Sequence, residues 1–141
     1  MISKLSKKVE YALMALKYFS EQQTSLRNEA IETLTAKQIA DATHAPAEVT
    51  ARVLQVLSSH GILKAEYGVN GGYKLAKDLS QITVHDLVTI VEGSSELAKC
   101  LGSETSCELV KNCTILSPVQ NLNKKVQNFY KSISLEEVLH V

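Results

Sequence analysis

Cys100, Cys107 and Cys113 are all the cysteine the chain has, and they fall within fourteen consecutive residues. Their setting, Cys100-Leu-Gly-Ser-Glu-Thr-Ser-Cys107-Glu-Leu-Val-Lys-Asn-Cys113, is polar and carries a glycine and two serines. An odd number of thiols cannot close into intrachain disulfides without leaving one over. Three thiolates on one polar loop make a claw for a soft metal or for an iron–sulfur cluster, 4Fe–4S or 2Fe–2S. The plainer alternative is that each is a small buried hydrophobe, and the polar neighbours argue against it. A pure thiol redox switch ranks third. The spacing, six and then five intervening residues, is not the short CxxC knuckle of structural zinc, and it does not exclude zinc.

Composition bounds what can hold this claw. A chain of 141 residues is one domain, or a small domain with an appendage. Hydrophobic residues make up 45%, with no tryptophan and two phenylalanines, so the core must be aliphatic. No apolar run approaches the roughly 20 residues that span a bilayer, and Glu10 and Lys17 interrupt any apolar leader. A cytoplasmic, reducing location is expected, which also suits unpaired thiols. Fifteen acids balance fifteen bases, which disfavours a protein that coats nucleic acid non-specifically but leaves room for a local basic face. There is no Gly-rich phosphate loop, GxSxG or HExxH, and His44, His60, His85 and His140 are dispersed, so an enzyme is not expected.

The elements that must position the cysteines read as follows. Leu5, Val9, Ala12, Leu13, Leu16 and Phe19 recur at helical spacing over residues 4 to 20, and 21 to 33 read as a polar connector with room for a helical turn. Thr35-Ala-Lys-Gln38 is a capping box opening a helix to Thr43. A turn at His44-Ala45 leads to Pro46, which suits the first turn of a second helix with an apolar stripe of Val49, Val53, Val56 and Leu57. Gly61 can cap its end in the left-handed region. That is a helix-turn-helix. Ile62–Tyr67 and Tyr73–Ala76 alternate like strands around the turn 68–72, giving a hairpin in the position of a wing. Thr83 caps a further helix ending at Gly93, and the cysteine loop follows. Ser117-Pro118 reads as N-cap and first turn of a longer helix, whose Val119, Leu122, Val126, Phe129 and Ile133 form a coiled-coil-like stripe suited to a homodimer. Ser134-Leu-Glu-Glu137 opens a last short helix. The expected fold is mainly α with a small β-hairpin. The expected divisions are a winged helix-turn-helix over 1–93, a cysteine-bearing loop over 94–116, and a dimerisation helix with a short terminal helix over 117–141.

On this reading double-stranded DNA is the partner, met by the 46–59 helix and the wing. Arg52 is the only arginine on that helix and suits guanine edges or phosphates. Glu48 and Thr50 stand near its N-terminus, where base edges are usually reached. Lys4, Lys37, Lys64 and Lys74 are phosphate candidates, with Asn70, Gly71, Gly72 and Tyr73 in the wing.

The chain resembles the Rrf2 family of bacterial winged-helix transcription regulators. The matching stretches are Lys7-Lys-Val-Glu-Tyr-Ala-Leu13, Leu34-Thr-Ala-Lys-Gln-Ile-Ala40, Arg52-Val-Leu-Gln-Val-Leu57, Gly61-Ile-Leu63, Gly71-Gly-Tyr-Lys-Leu-Ala76, Ile82-Thr-Val-His-Asp-Leu87 and Val91-Glu-Gly93. They cover nearly the whole chain. The clustered cysteines are similar to those of the cluster-binding branch. The resemblance implies a homodimer that places recognition helices in successive major grooves and wings in the minor groove. It also implies a cluster near the dimer helix and the partner's first helix. Some members carry a histidine ligand after the third cysteine; 114–118 has none. Others use a carboxylate before Tyr-Ala-Leu, which implies Glu10 as fourth ligand to the cluster held by the three cysteines. A related two-iron regulator adds a histidine one turn on, where Met14 stands here. His85 or a solvent molecule is the alternative fourth ligand. The implied function is a transcription regulator whose operator affinity follows a cluster that senses redox, nitric oxide or iron status. A zinc site or thiol oxidation in place of the cluster is the alternative.

Overall fold

Among the described residues, nine elements fold around one largely aliphatic core. The structure, a computed structural model, describes residues 5–25, 33–94, 101, 108–109 and 111–141. In chain order they are α1 (Lys7–Ser25), α2 (Ala36–Thr43), α3 (Ala47–Ser59), β1 (Leu63–Glu66), β2 (Gly72–Leu75), a 3-10 turn (Leu79–Gln81), α4 (Val84–Glu92), α5 (Leu116–Lys131) and α6 (Leu135–Leu139). This is the winged-helix arrangement expected from the sequence, with a long helix towards the C-terminus.

α1 buries Val9, Ala12, Leu16 and Phe19 along one face, against α3 and α4. It runs to Ser25, into the segment expected to be a connector, because Glu21-Gln-Gln23 are good helix formers and no glycine or proline intervenes. α2 opens on the expected capping box: Gln38 N–H donates to Thr35 Oγ1 at 3.1 Å and Thr35 N–H donates to Gln38 Oε1 at 2.8 Å. It closes on His44 in the left-handed region, at φ 56°. Pro46 is the N-cap of α3 rather than inside its first turn, and Gly61 follows its end at φ 76°.

The face that α3 buries differs from the expected valine stripe. Thr50, Val53, Leu54 and Leu57 are inside, at the i, i+3, i+4, i+7 spacing of a packed helix, while Val49 and Val56 are half-buried. Leu54, fully buried, is the residue that the valine pattern overlooked.

β1 and β2 pair antiparallel with Leu63 opposite Leu75, Lys64 opposite Lys74 and Ala65 opposite Tyr73. Leu34, ahead of α2, adds an isolated bridge to Tyr73: each N–H donates to the other's carbonyl at 2.8 Å.

α5 begins at Leu116, capped by the backbone of Ile115 without a side-chain bond, so Ser117 is a helical residue and not the N-cap. α6 returns to the winged-helix body. Leu135 N–H donates to the Ile82 carbonyl at 2.8 Å, Val84 N–H donates to the Ile133 carbonyl at 3.0 Å, and Leu135 and Leu139 join the core cluster with Leu79, Ile82 and Leu87. The residues after α5 therefore pack with the first body, across the boundary expected at 117.

Candidate nucleic-acid interface and cysteine site

α3 presents Glu48, Arg52, Gln55 and Ser59 to solvent, one outward stripe opposite its buried face. Glu48 and Arg52 are one turn apart, and the guanidinium Nη2 donates to the Glu48 carboxylate at 2.6 Å. Gln55 shares this exposed face and was not singled out from the sequence. Its spacing from Glu48 and Arg52, i+7 and i+3, was the available signal, and a glutamine amide suits an adenine edge. Thr50 does not belong to this face. It is 2% exposed, and its buried Oγ1 has no hydrogen-bond partner among the described residues. The expectation that it reaches bases is corrected by the helix's rotation.

The wing follows at the end of α3, where Ile62 N–H donates to the Leu57 carbonyl at 3.0 Å. Lys64 and Lys74, directly opposite each other in the hairpin, share one face, a placement that costs energy unless an anion answers it. Glu66 answers in part, 2.5 Å from Lys74 Nζ. The bond from Lys74, with a smaller effect of Lys64, holds the Glu66 carboxyl below the usual glutamate range. Lys37 is exposed at the start of α2, and Asn70 is exposed in the wing turn. Lys4 lies outside the described residues.

The two wing glycines are explained by the chain itself. A Cβ on Gly71 would lie 2.7 Å from the Glu66 carbonyl oxygen and 2.9 Å from that of Gly68. On Gly72, at φ 152°, it would lie 2.7 Å from the Leu34 carbonyl oxygen. Tyr73 is half-buried against the core, with its backbone spent on Leu34. These residues shape the wing.

Of the expected cluster ligands, Cys100 and Cys107 lie outside the described residues. Cys113 is a free, half-buried thiol just before α5. Glu10 sits in the first turn of α1, half-buried, and its Oε2 accepts from Lys7 Nζ at 2.8 Å. That carboxylate holds the Lys7 ammonium above its usual range. Among the described residues no three His, Cys, Asp or Glu side chains gather closely enough to hold a metal ion. By donor chemistry, a free thiol suits iron–sulfur ligation and a carboxylate is a harder, more weakly held ligand. His85 is on α4.

A helix-turn-helix with an outward polar stripe and a hairpin wing defines a winged-helix DNA-binding transcription regulator. The chain belongs to the Rrf2 family, described as iron-dependent transcriptional regulators, which it matches over residues 5–141. It is similar to a putative HTH-type transcriptional regulator of Aquifex aeolicus (strain VF5), 26% identical over 135 residues that cover 94% of this chain and 89% of the relative. The HTH-type transcriptional regulator IscR of Photorhabdus laumondii is 32% identical over 84 residues, 60% of this chain and 51% of that protein. The match thus spans about half the length of the IscR relative. Two solved structures share the fold. IscR of T. potens superposes with a TM-score of 0.67 at 23% identity, covering 99% of this chain and 88% of that one. CymR, the global cysteine regulator of B. subtilis, gives 0.65 at 22%, covering 99% and 98%.

Proposed function

We propose that this regulator binds a specific operator as a homodimer and that an iron–sulfur cluster sets its operator affinity. The observation that carries the reading is the cysteine triplet placed between α4 and the long helix of a chain in a family described as iron-dependent regulators. Cys100, Cys107 and Cys113 would hold three iron corners, with Glu10 the fourth ligand. The cluster would supply a centre that responds to iron supply, nitric oxide or redox poise. A carboxylate on α1 would tie that response to the first helix of the DNA-binding body, and the difference in operator affinity between cluster states is the regulatory output.

Duplex DNA is met by Glu48, Arg52 and Gln55 of α3, by Asn70 of the wing, and by Lys4, Lys37, Lys64 and Lys74 at phosphates. The homodimer is supported by α5, where Leu122 is 50% and Phe129 61% exposed on a helix that contacts α4. Among the described residues no helix is long and apolar enough to cross a membrane.

The test is anaerobic purification followed by visible spectroscopy, iron analysis and titration of holo and apo protein against its own promoter region. A brown protein whose affinity changes on cluster loss supports the reading. A colourless zinc protein, or a metal-free one whose affinity follows thiol oxidation, replaces it. Replacing any one cysteine with Ala should bleach the protein without unfolding it. Glu10→Ala should keep a cluster but alter its absorbance, its stability in air and DNA affinity.

A further inference from the structure

The rotation of α3 leaves two of its valines short of the core. Thr50 and Leu54 turn inward, while Val49 and Val56 stay half-buried. With Val53 of α3 and Val91 of α4 they line a pocket of about 250 Å³, and the remaining lining residues are Lys8 of α1 and Arg52 of α3. The valines are half-buried or buried and the two cations are exposed, so methyl groups make the floor and positive charge stands at the mouth. No carboxylate lines the pocket.

Both cations have donors to spare. Lys8 makes no hydrogen bond or ion pair among the described residues. Arg52 gives Nη2 to Glu48 at 2.6 Å, and a guanidinium carries five N–H donors. The occupant that complements this pocket is aliphatic at one end and anionic at the other. It is also small, because pockets for drug-sized ligands run to roughly 300–1,000 Å³. A monocarboxylate with an unbranched chain on the order of six to eight carbons meets all three conditions.

We propose that this pocket is an effector site for a short aliphatic monocarboxylate, whose chain lies against Val49, Val56 and Val91 and whose carboxylate accepts from Lys8 and Arg52. Its consequence for DNA rests on the proposed function. Arg52 is the arginine that α3 offers to the operator, so a ligand that holds the guanidinium at the pocket mouth takes it from the duplex. Carboxylate and operator then weaken each other by the same factor.

Calorimetry on the full chain without DNA tests the site, with hexanoate, heptanoate and octanoate as probes and octanol as the uncharged control. Each added methylene should tighten binding about threefold until the chain outgrows the pocket. Octanol, and octanoate on Lys8→Ala, should each bind about fivefold more weakly than octanoate on wild type. Val56→Phe, which fills the pocket, should abolish binding, with its fold checked by circular dichroism. Absence of saturable binding, equal affinity for octanol and octanoate, or full octanoate affinity in Lys8→Ala overturns the site. A change of sedimenting mass in Val56→Phe assigns the pocket to a contact between copies and overturns it too. Anisotropy on a duplex that wild type selects from a random pool tests the coupling. Saturating octanoate should lower operator affinity about tenfold, and the residual affinity of Arg52→Ala should not respond. An operator affinity blind to octanoate overturns the coupling. If wild type selects no duplex, the DNA-binding reading falls, while the calorimetry still decides the site.

Discussion

Ser6 Oγ donates to the Glu92 carboxylate, joining the residue just before α1 to the last turn of α4. The same hydroxyl oxygen accepts from Val9 N–H at 3.2 Å, so Ser6 also caps α1. Glu92 immediately precedes Gly93, which ends α4 in the left-handed region at φ 80°. The chain then enters the cysteine segment. Ser6→Ala should cost about 1 kcal/mol of stability, as for other N-cap losses, measured by denaturant unfolding. In a double-mutant cycle with Glu92→Gln the two losses should be less than additive.

Arg52 is held by Glu48 in the free protein, and both are largely exposed. The pair adds little to stability at such exposure, and the proposed interface gives it a part in binding. Arg52→Ala should cost about 1–3 kcal/mol of operator affinity and leave the melting temperature unchanged. Glu48→Gln should raise affinity for unrelated duplexes, with a steeper salt dependence. Anisotropy titrations on operator and scrambled DNA check both.

Gly72→Ala would force the Leu34 carbonyl away from the wing. It should destabilise by about 1–3 kcal/mol, the cost of strain at a left-handed position, and weaken operator binding more than stability alone explains. Unfolding and binding measured on the same preparation separate the two.

Leu122→Glu combined with Phe129→Glu places charge on the exposed stripe of α5. Wild type should sediment at twice the chain mass at micromolar concentration and the variant at the chain mass. A variant that stays dimeric would move the interface elsewhere.

Asp78 Oδ1 accepts from Ser80 N–H at 2.9 Å, capping the 3-10 turn, and this backbone bond holds its carboxyl below the usual aspartate range. A depressed folded-state value means stabilisation that is present above the unfolded value, about 3.9, and is lost as pH falls through the lower folded one. Wild type should therefore lose melting temperature more steeply in acid than Asp78→Asn, which keeps an accepting oxygen at all pH values. Parallel slopes would show that the cap does not titrate with folding.

The sequence disclosed those elements whose ends carry local chemistry. Thr35 with Gln38, Thr83 with Asp86 and Gly93 at φ 80° are readable because each cap is made by residues a few positions apart. α1 beyond residue 20 and the start of α5 were less legible, since polar helix formers leave no stop signal and Ile115 caps with its backbone alone. The rotation of α3 was misread because valine and leucine fill both the buried face and its flanks; only packing decides that Leu54 and Thr50 go in and Val49 and Val56 stay at the edge. The wing glycines were visible as a turn, but their reason, the approach of Leu34 from far upstream, is a tertiary fact. Of the cysteine site, Cys113 and Glu10 alone fall among the described residues.

The return of α6 to the winged-helix body orders events at the ribosome. Leu135 and Leu139 share a core with Val9, Leu16 and Ile39, so the body that reads DNA is unfinished until almost the whole chain has emerged. Chains emerge at about 5–20 residues per second, and such distant contacts form late. The segment between α4 and α5 is therefore synthesised before the core it is tethered to is complete. Synthesis of the long helix and completion of the DNA-reading body become one timed process rather than two.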